Sequence, residues 1–242
     1  GRLVYRHPKV DVDGVALDSF TRQAVGSVYT VDFAADEYFD RTYAQMQADV
    51  AATFPGERVL ITSASRDRKK FVTLVEGAQN PTGTYYLVDM TEPSIAKIGA
   101  RYEAIASSDV GRVKSFTYQA RDGLTIPAYL TLPPGSSGKN LPLVVMPHGG
   151  PHSRDTGHFD PWVQFLASRG YAVLQPQFRG SSGYGAKFLE AGHFQWGLKM
   201  QDDVTDGVKA LIADGTADPA RVCIYGWSYG GYAAMAGLAF TP

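Results

Sequence analysis

The hydrophobic pattern changes rhythm once along the chain. Up to about residue 106, apolar positions fall in short β-branched and aromatic runs: Val59-Leu60-Ile61-Thr62, Phe71-Val72-Thr73-Leu74-Val75 and Tyr85-Tyr86-Leu87-Val88-Asp89. Polar or Gly/Pro breakers, Ser65 to Lys70 and Gly77 to Gly83, separate them. Evenly spaced runs of this kind predict an antiparallel meander, like a propeller blade. Tyr43, Met46, Val50 and Phe54 step by three and four, which predicts one helix over Tyr38–Ala52. No exact internal repeat is visible.

From about residue 110 strands and helices alternate. Strands are predicted near 124–132 and 141–147, joined by the turn-rich Pro133 to Asn140. Asp160 and Pro161 supply an N-cap and a first-turn proline for a helix running to Arg169 and ended by Gly170. Trp162, Val163, Phe165 and Leu166 are assigned to its buried side. Tyr171 to Leu174 reads as a buried strand. A helix over about 201–213 follows, with Val204, Val208, Leu211 and Ile212 on one face. Asp218-Pro219 opens a turn before a strand at 222–225, and a last helix covers about 229–239. The alternation implies an α/β fold, a mainly parallel sheet with helices on both faces.

Composition narrows the function classes. With 23 basic and 24 acidic residues the net charge is −1, so nothing attracts the chain as a whole to nucleic acid or to an anionic membrane. No apolar run approaches a membrane-spanning length. Residues 1–10 carry Arg2, Arg6, His7 and Lys9 with no apolar stretch behind them, unlike a signal peptide. The compartment stays open, leaning to the cytoplasm. The one cysteine, Cys223, excludes an internal disulfide and is expected to be a buried small hydrophobe.

Three segments carry candidate chemistry. Val222 to Tyr232 joins a short apolar run, then Gly226-Trp227-Ser228-Tyr229-Gly230, then small and apolar residues at helical spacing. That is the pattern of a nucleophile elbow, in which a serine sits on a tight strand-to-helix turn. A Cβ at Gly226 or Gly230 is expected to collide with the neighbouring strand or helix. Ser228 is the candidate nucleophile, and the N–H of Tyr229 a candidate oxyanion donor. Met146-Pro147-His148-Gly149-Gly150-Pro151 follows a predicted strand. An H-G-G loop there offers a second donor, Gly150 first and Gly149 next. Arg179-Gly180-Ser181-Ser182-Gly183-Tyr184-Gly185 reads as a shaped loop bordering the site, since it lacks a phosphate-loop pattern. His148, Arg179 and Tyr184 are the expected lining residues.

Taken in order, the H-G-G-P loop, the R-G-S-S-G-Y-G loop and G-W-S-Y-G-G-Y resemble the prolyl oligopeptidase family of serine peptidases, in its acylaminoacyl-peptidase and dipeptidyl-peptidase-like branch. Arg121 to Leu130 resembles that family's entry into its catalytic domain. The resemblance implies that residues 1–106 are the C-terminal part of a β-propeller-like domain. It makes residues 110–242 the N-terminal part of an α/β-hydrolase domain. It also implies a peptide or acyl-peptide substrate, acyl transfer through Ser228, and no cofactor or metal.

The family's triad Asp and His have no counterpart: no His, Asp or Glu follows Ser228. His148 as base and Asp202, Asp203 or Asp206 as acid would require an abnormal order. Asp202, Asp203 and Asp206 are expected instead to serve a helix N-terminus. The 242 residues are therefore expected to be a piece of a longer enzyme, inactive alone, whose missing C-terminal segment is a partner. A strand ahead of the elbow with nothing paired beyond it would leave an open edge. An esterase or lipase of the same fold and a non-catalytic binding module are the rival readings.

Overall fold

The computed structural model describes residues 3–241. It divides into two compact units, one holding the residues up to Pro8 and Val12–Asp109, the other Lys9–Asp11 and the chain from Val110 onward.

In the first unit, β1 (Val12–Leu17), β2 (Ala24–Thr30) and β3 (Ala34–Tyr38) form a three-stranded antiparallel sheet. Helix α1 (Arg41–Thr53) starts later than its apolar stripe suggests, because the carboxylate of Asp40 accepts the N–H groups of Thr42 and Tyr43 and sets the cap. Strands β4 (Arg58–Ala64), β5 (Lys70–Glu76), β6 (Thr84–Asp89) and β7 (Ser94–Ala100) follow in up-and-down order as a four-stranded antiparallel sheet. Tyr43, Met46 and Val50 of α1 share one core with Val25, Val59, Phe71, Val75 and Val88.

The second unit is built on one five-stranded sheet. Its strands are β8 (Arg112–Gln119), β9 (Thr125–Leu132), β10 (Leu141–Val145), β11 (Ala172–Pro176) and β12 (Ala217–Ile224). They lie in the order β12-β10-β11-β9-β8. β10 pairs in parallel with β11 and with β12, whereas β9 is antiparallel to both β11 and β8. The sheet is thus mixed rather than mainly parallel, because β8 and β9 form a hairpin before the first crossover. The helices are α2 (Pro161–Ala167), α3 (Ala186–Glu190), α4 (Lys199–Ala213) and α5 (Tyr229–Phe240).

Strand periodicity separates two cores. Leu143 and Val145 join Leu174, Met200, Val204, Leu211, Tyr229 and Ala233 on the face carrying α4 and α5. Val144, Met146 and Val173 turn the other way, onto Val163 and Leu166 of α2. The two faces leave the loops after β10, β11 and β12 at the same end of the parallel strands.

Two side-chain expectations fail. Trp162 and Phe165 are 57% and 54% exposed. Helix α2 turns Val163, Gln164 and Ala167 inward instead, since Gln164 exchanges two hydrogen bonds with the backbone of Gly111. Cys223 is exposed, not buried. Among the described residues β12 is the end strand of its sheet, beside an apolar groove of about 730 Å³ that runs between α4 and α5.

Candidate active site

The elbow forms where β12 hands over to α5. Ser228 has φ 54° and ψ −129°, a left-handed conformation that strains a residue with a Cβ. Two close backbone approaches hold it there. A Cβ on Gly226 would lie 2.5 Å from the carbonyl carbon of Gly230, and one on Gly230 would overlap the carbonyl oxygen of Pro147. The turn can close only if both residues are glycine, and its closure packs α5 directly against the loop after β10. The Ser228 side chain is exposed, with no hydrogen-bond partner among the described residues. Tyr229 opens α5, so its N–H is one of the unpaired donors of the first turn.

The loop after β10 reaches this serine from the side. A Cβ at Gly149 would sit 3.4 Å from the Cβ of Ser228 and 3.8 Å from its Oγ, ordinary van der Waals contact. Gly150 has φ +121°. A Cβ there would meet the backbone nitrogen of His152 at 2.8 Å, so glycine is required twice over.

His148 supports the loop from beneath. Its Nδ1 lies 2.8 Å from the carbonyl oxygen of Gly149 and its Nε2 lies 2.8 Å from Ser181 Oγ. The ring stacks on Phe178 with centroids 4.4 Å apart. Burial, with a smaller contribution from Arg154, lowers its pKa to about 4, so at neutral pH the ring is uncharged.

A cavity of about 320 Å³ opens beside the loop, lined by His148, Gly149 and Gly150 together with Asp155, Tyr225 and Trp227. Tyr225 and Trp227 flank the elbow, and each is about half exposed. Burial pushes the Asp155 carboxyl up to about 7, and the Asp160 charge adds to the rise. Its main-chain N–H donates to Gln177 Oε1 at 2.9 Å.

The third predicted segment has a different task from the one expected. Arg179 does not line the cavity; its side chain is 5% exposed and engages two carboxylates. Its Nε and Nη2 donate to Asp203 at 2.8 and 2.7 Å, and its own backbone N–H donates to Asp203 at 2.9 Å. Nη1 and Nη2 reach Asp122 at 2.8 and 2.9 Å. The Asp203 hydrogen bonds, then those of Asp122, raise the arginine's pKa, and Arg179 holds Asp122 well below the usual carboxylate range. Tyr184 is also set back from the cavity. Its ring lies under the guanidinium of Arg154 at 4.4 Å and its hydroxyl accepts from Arg154 Nη2 at 3.0 Å. It therefore places Arg154, which does line the cavity. Asp202 and Asp206 pair with Arg121, an assignment that a helix-terminus reading of these aspartates misses.

The elbow serine, its two glycine contacts and the H-G-G loop thus converge at one end of the sheet. Asp155, Ser181, Tyr225 and the Asp122–Arg179–Asp203 cluster were not legible as partners, because each depends on contacts across loops that carry no periodic signal.

Comparison with known proteins matches the same segments. The description "Prolyl oligopeptidase family" fits residues 157–242. A dipeptidyl aminopeptidase BIII of Pseudoxanthomonas mexicana is 33% identical over 99% of this chain and 36% of its own length. Dipeptidyl peptidase family member 6 of Caenorhabditis elegans is 32% identical over 78% of this chain and 28% of its own. The structure of a Mycobacterium tuberculosis puromycin-hydrolyzing peptidase superposes with a TM-score of 0.63 at 30% identity, covering 77% of this chain and 29% of that one. The chain therefore spans about a third of the length of these relatives. Together with the ordered H-G-G-P, R-G-S-S-G-Y-G and G-W-S-Y-G-G-Y segments, these matches show that the chain belongs to the prolyl oligopeptidase family.

Proposed function

We propose that this chain carries the nucleophile and oxyanion hole of a serine peptidase. In this reading Ser228 Oγ attacks the carbonyl carbon of a peptide or acyl-peptide bond and forms an acyl-enzyme. The N–H groups of Tyr229 and Gly150 take up the charge on the tetrahedral oxygen, with Gly149 as the alternative donor. Water then releases the acyl group. The observation that carries the reading is the exposed, positive-φ serine beside Gly149, so close that a Cβ on that glycine would touch it.

The reaction requires a base to take the Ser228 proton, and Ser228 has no such partner among the described residues. His148 is already engaged by Gly149 and Ser181. On this reading the 242-residue chain by itself turns over substrate at a residual rate at most. The four-stranded meander β4-β5-β6-β7 fits a blade of a propeller-like domain.

Aminoacyl-naphthylamides compared with short acyl esters, on a polypeptide extended to the relatives' length, separate peptidase from esterase. Preference for the ester by kcat/KM contradicts the peptidase reading. Failure of a fluorophosphonate to label Ser228 in that polypeptide favours a binding module.

A further inference from the structure

Three close contacts run in a line beneath the oxyanion loop. His148 Nδ1 faces Gly149 O at 2.8 Å, His148 Nε2 faces Ser181 Oγ at 2.8 Å, and Ser181 Oγ faces Phe178 O at 2.6 Å. Three hydrogen bonds need three protons. A neutral imidazole and one hydroxyl supply two.

The two arrangements of the two protons differ in which groups they leave without a partner. If Ser181 gives its proton to Phe178 O, Nε2 must donate to Ser181. The bare Nδ1 then faces the carbonyl oxygen of Gly149, and neither atom has another partner among the described residues. That leaves the buried Nδ1 without a donor and sets two acceptors 2.8 Å apart, which is costly. If Ser181 donates to Nε2 instead, Nδ1–H donates to Gly149 O. The 2.6 Å contact between Ser181 Oγ and Phe178 O then carries no proton, but Phe178 O keeps a partner, because it accepts the backbone N–H of Ser181 at 3.0 Å. Ser181 and His148 are 0% and 8% exposed, so both side chains depend on protein partners.

The consequence reaches the oxyanion loop through a planar peptide. The carbonyl of Gly149 and the N–H of Gly150 belong to one trans peptide unit and point in opposite directions. Fixing the oxygen on the His148 ring fixes where the Gly150 N–H aims. Resting on the reading that Gly150 is an oxyanion donor, we propose that Ser181 is a positioning residue: its hydroxyl donates to His148 Nε2, holds the ring as the Nδ1–H tautomer, and thereby orients the Gly150 N–H.

Long-range 1H–15N correlation of the His148 ring in the 242-residue chain near pH 7.5 tests this without turnover. The expected result is a protonated Nδ1 and a bare, hydrogen-bonded Nε2. A protonated Nε2 with bare Nδ1 overturns the proposal in the unmodified chain, whatever any variant does. Ser181→Ala is expected to move the Nε2 resonance toward the unbonded position, and Ser181→Thr, which restores a hydroxyl, to return it. An Nε2 resonance unchanged in a folded Ser181→Ala chain overturns the donor role. In a polypeptide that turns over peptide, Ser181→Ala should lower kcat about tenfold or more with KM within about twofold; an unchanged kcat overturns the positioning role. The wrong tautomer beside a reactive Ser228 defeats this inference alone, whereas an inert Ser228 above the expected tautomer defeats the functional reading alone.

Discussion

Asp203→Ala should be among the most damaging single substitutions in the second unit. The Asp203 side chain is 0% exposed and accepts three hydrogen bonds from Arg179, one of them from its main chain. Removing it leaves a guanidinium that is 5% exposed and held only by Asp122, whose side chain is 31% exposed. Breaking a buried pair in this way costs about 3–5 kcal/mol, and the surviving Asp122 contact places this case near the lower end. About 3 kcal/mol is a loss of more than about hundredfold in the folding constant. Urea unfolding followed by tryptophan fluorescence measures it selectively, since Trp162, Trp196 and Trp227 all lie in the second unit. An Arg179→Met/Asp203→Leu double variant should lose less than Asp203→Ala, because no charge is left stranded. A loss below about 1 kcal/mol, or a double variant at least as destabilised as the single one, refutes the reasoning.

Gly230→Ala should cost well over 1 kcal/mol, about the upper range for an overpacked site, because the new methyl overlaps the carbonyl of Pro147; a Tm equal to that of the parent contradicts the close approach. Asp155 titrates near 7 when folded and near 3.8 when unfolded, so the folded state holds its proton longer and stability falls as pH rises between these values. The stability of Asp155→Asn relative to the parent should therefore rise from pH 4 to pH 7 and level off above. His148 acts in the opposite sense below pH 6.5, which is why the comparison is made between variants rather than on one curve. Cys223 is exposed and should react with Ellman's reagent without denaturant; protection until unfolding contradicts its placement on an open face.

What could be read in the sequence was what depends on local chemistry. The G-x-S-x-G turn, its flanking strand and helix, and the H-G-G loop are each specified by residues adjacent in the chain, and they meet as expected. Helix α4 was legible because Val204, Val208, Leu211 and Ile212 repeat on one face. Three features escaped because they are settled between distant segments. The outward turn of Trp162 and Phe165 follows from Gln164 bonding to Gly111, 53 residues away. Arg179 looked like a site-lining cation because nothing near it announced Asp122 or Asp203 as partners. Cys223 looked buried because apolar neighbours imply a covered strand, and the position of a strand within its sheet is not encoded in its own residues. Asp155 gave no signal: a lone aspartate in a polar loop acquires an unusual pKa only from the walls folded around it.

The central claim is that Ser228 is presented as a nucleophile to the Gly149-Gly150 loop. Mass spectrometry of fluorophosphonate-treated polypeptide extended to the relatives' length tests it most directly. The account predicts one adduct, on the peptide containing Ser228, absent from Ser228→Ala. An adduct on another serine, or none while the protein still cleaves peptide, would contradict it.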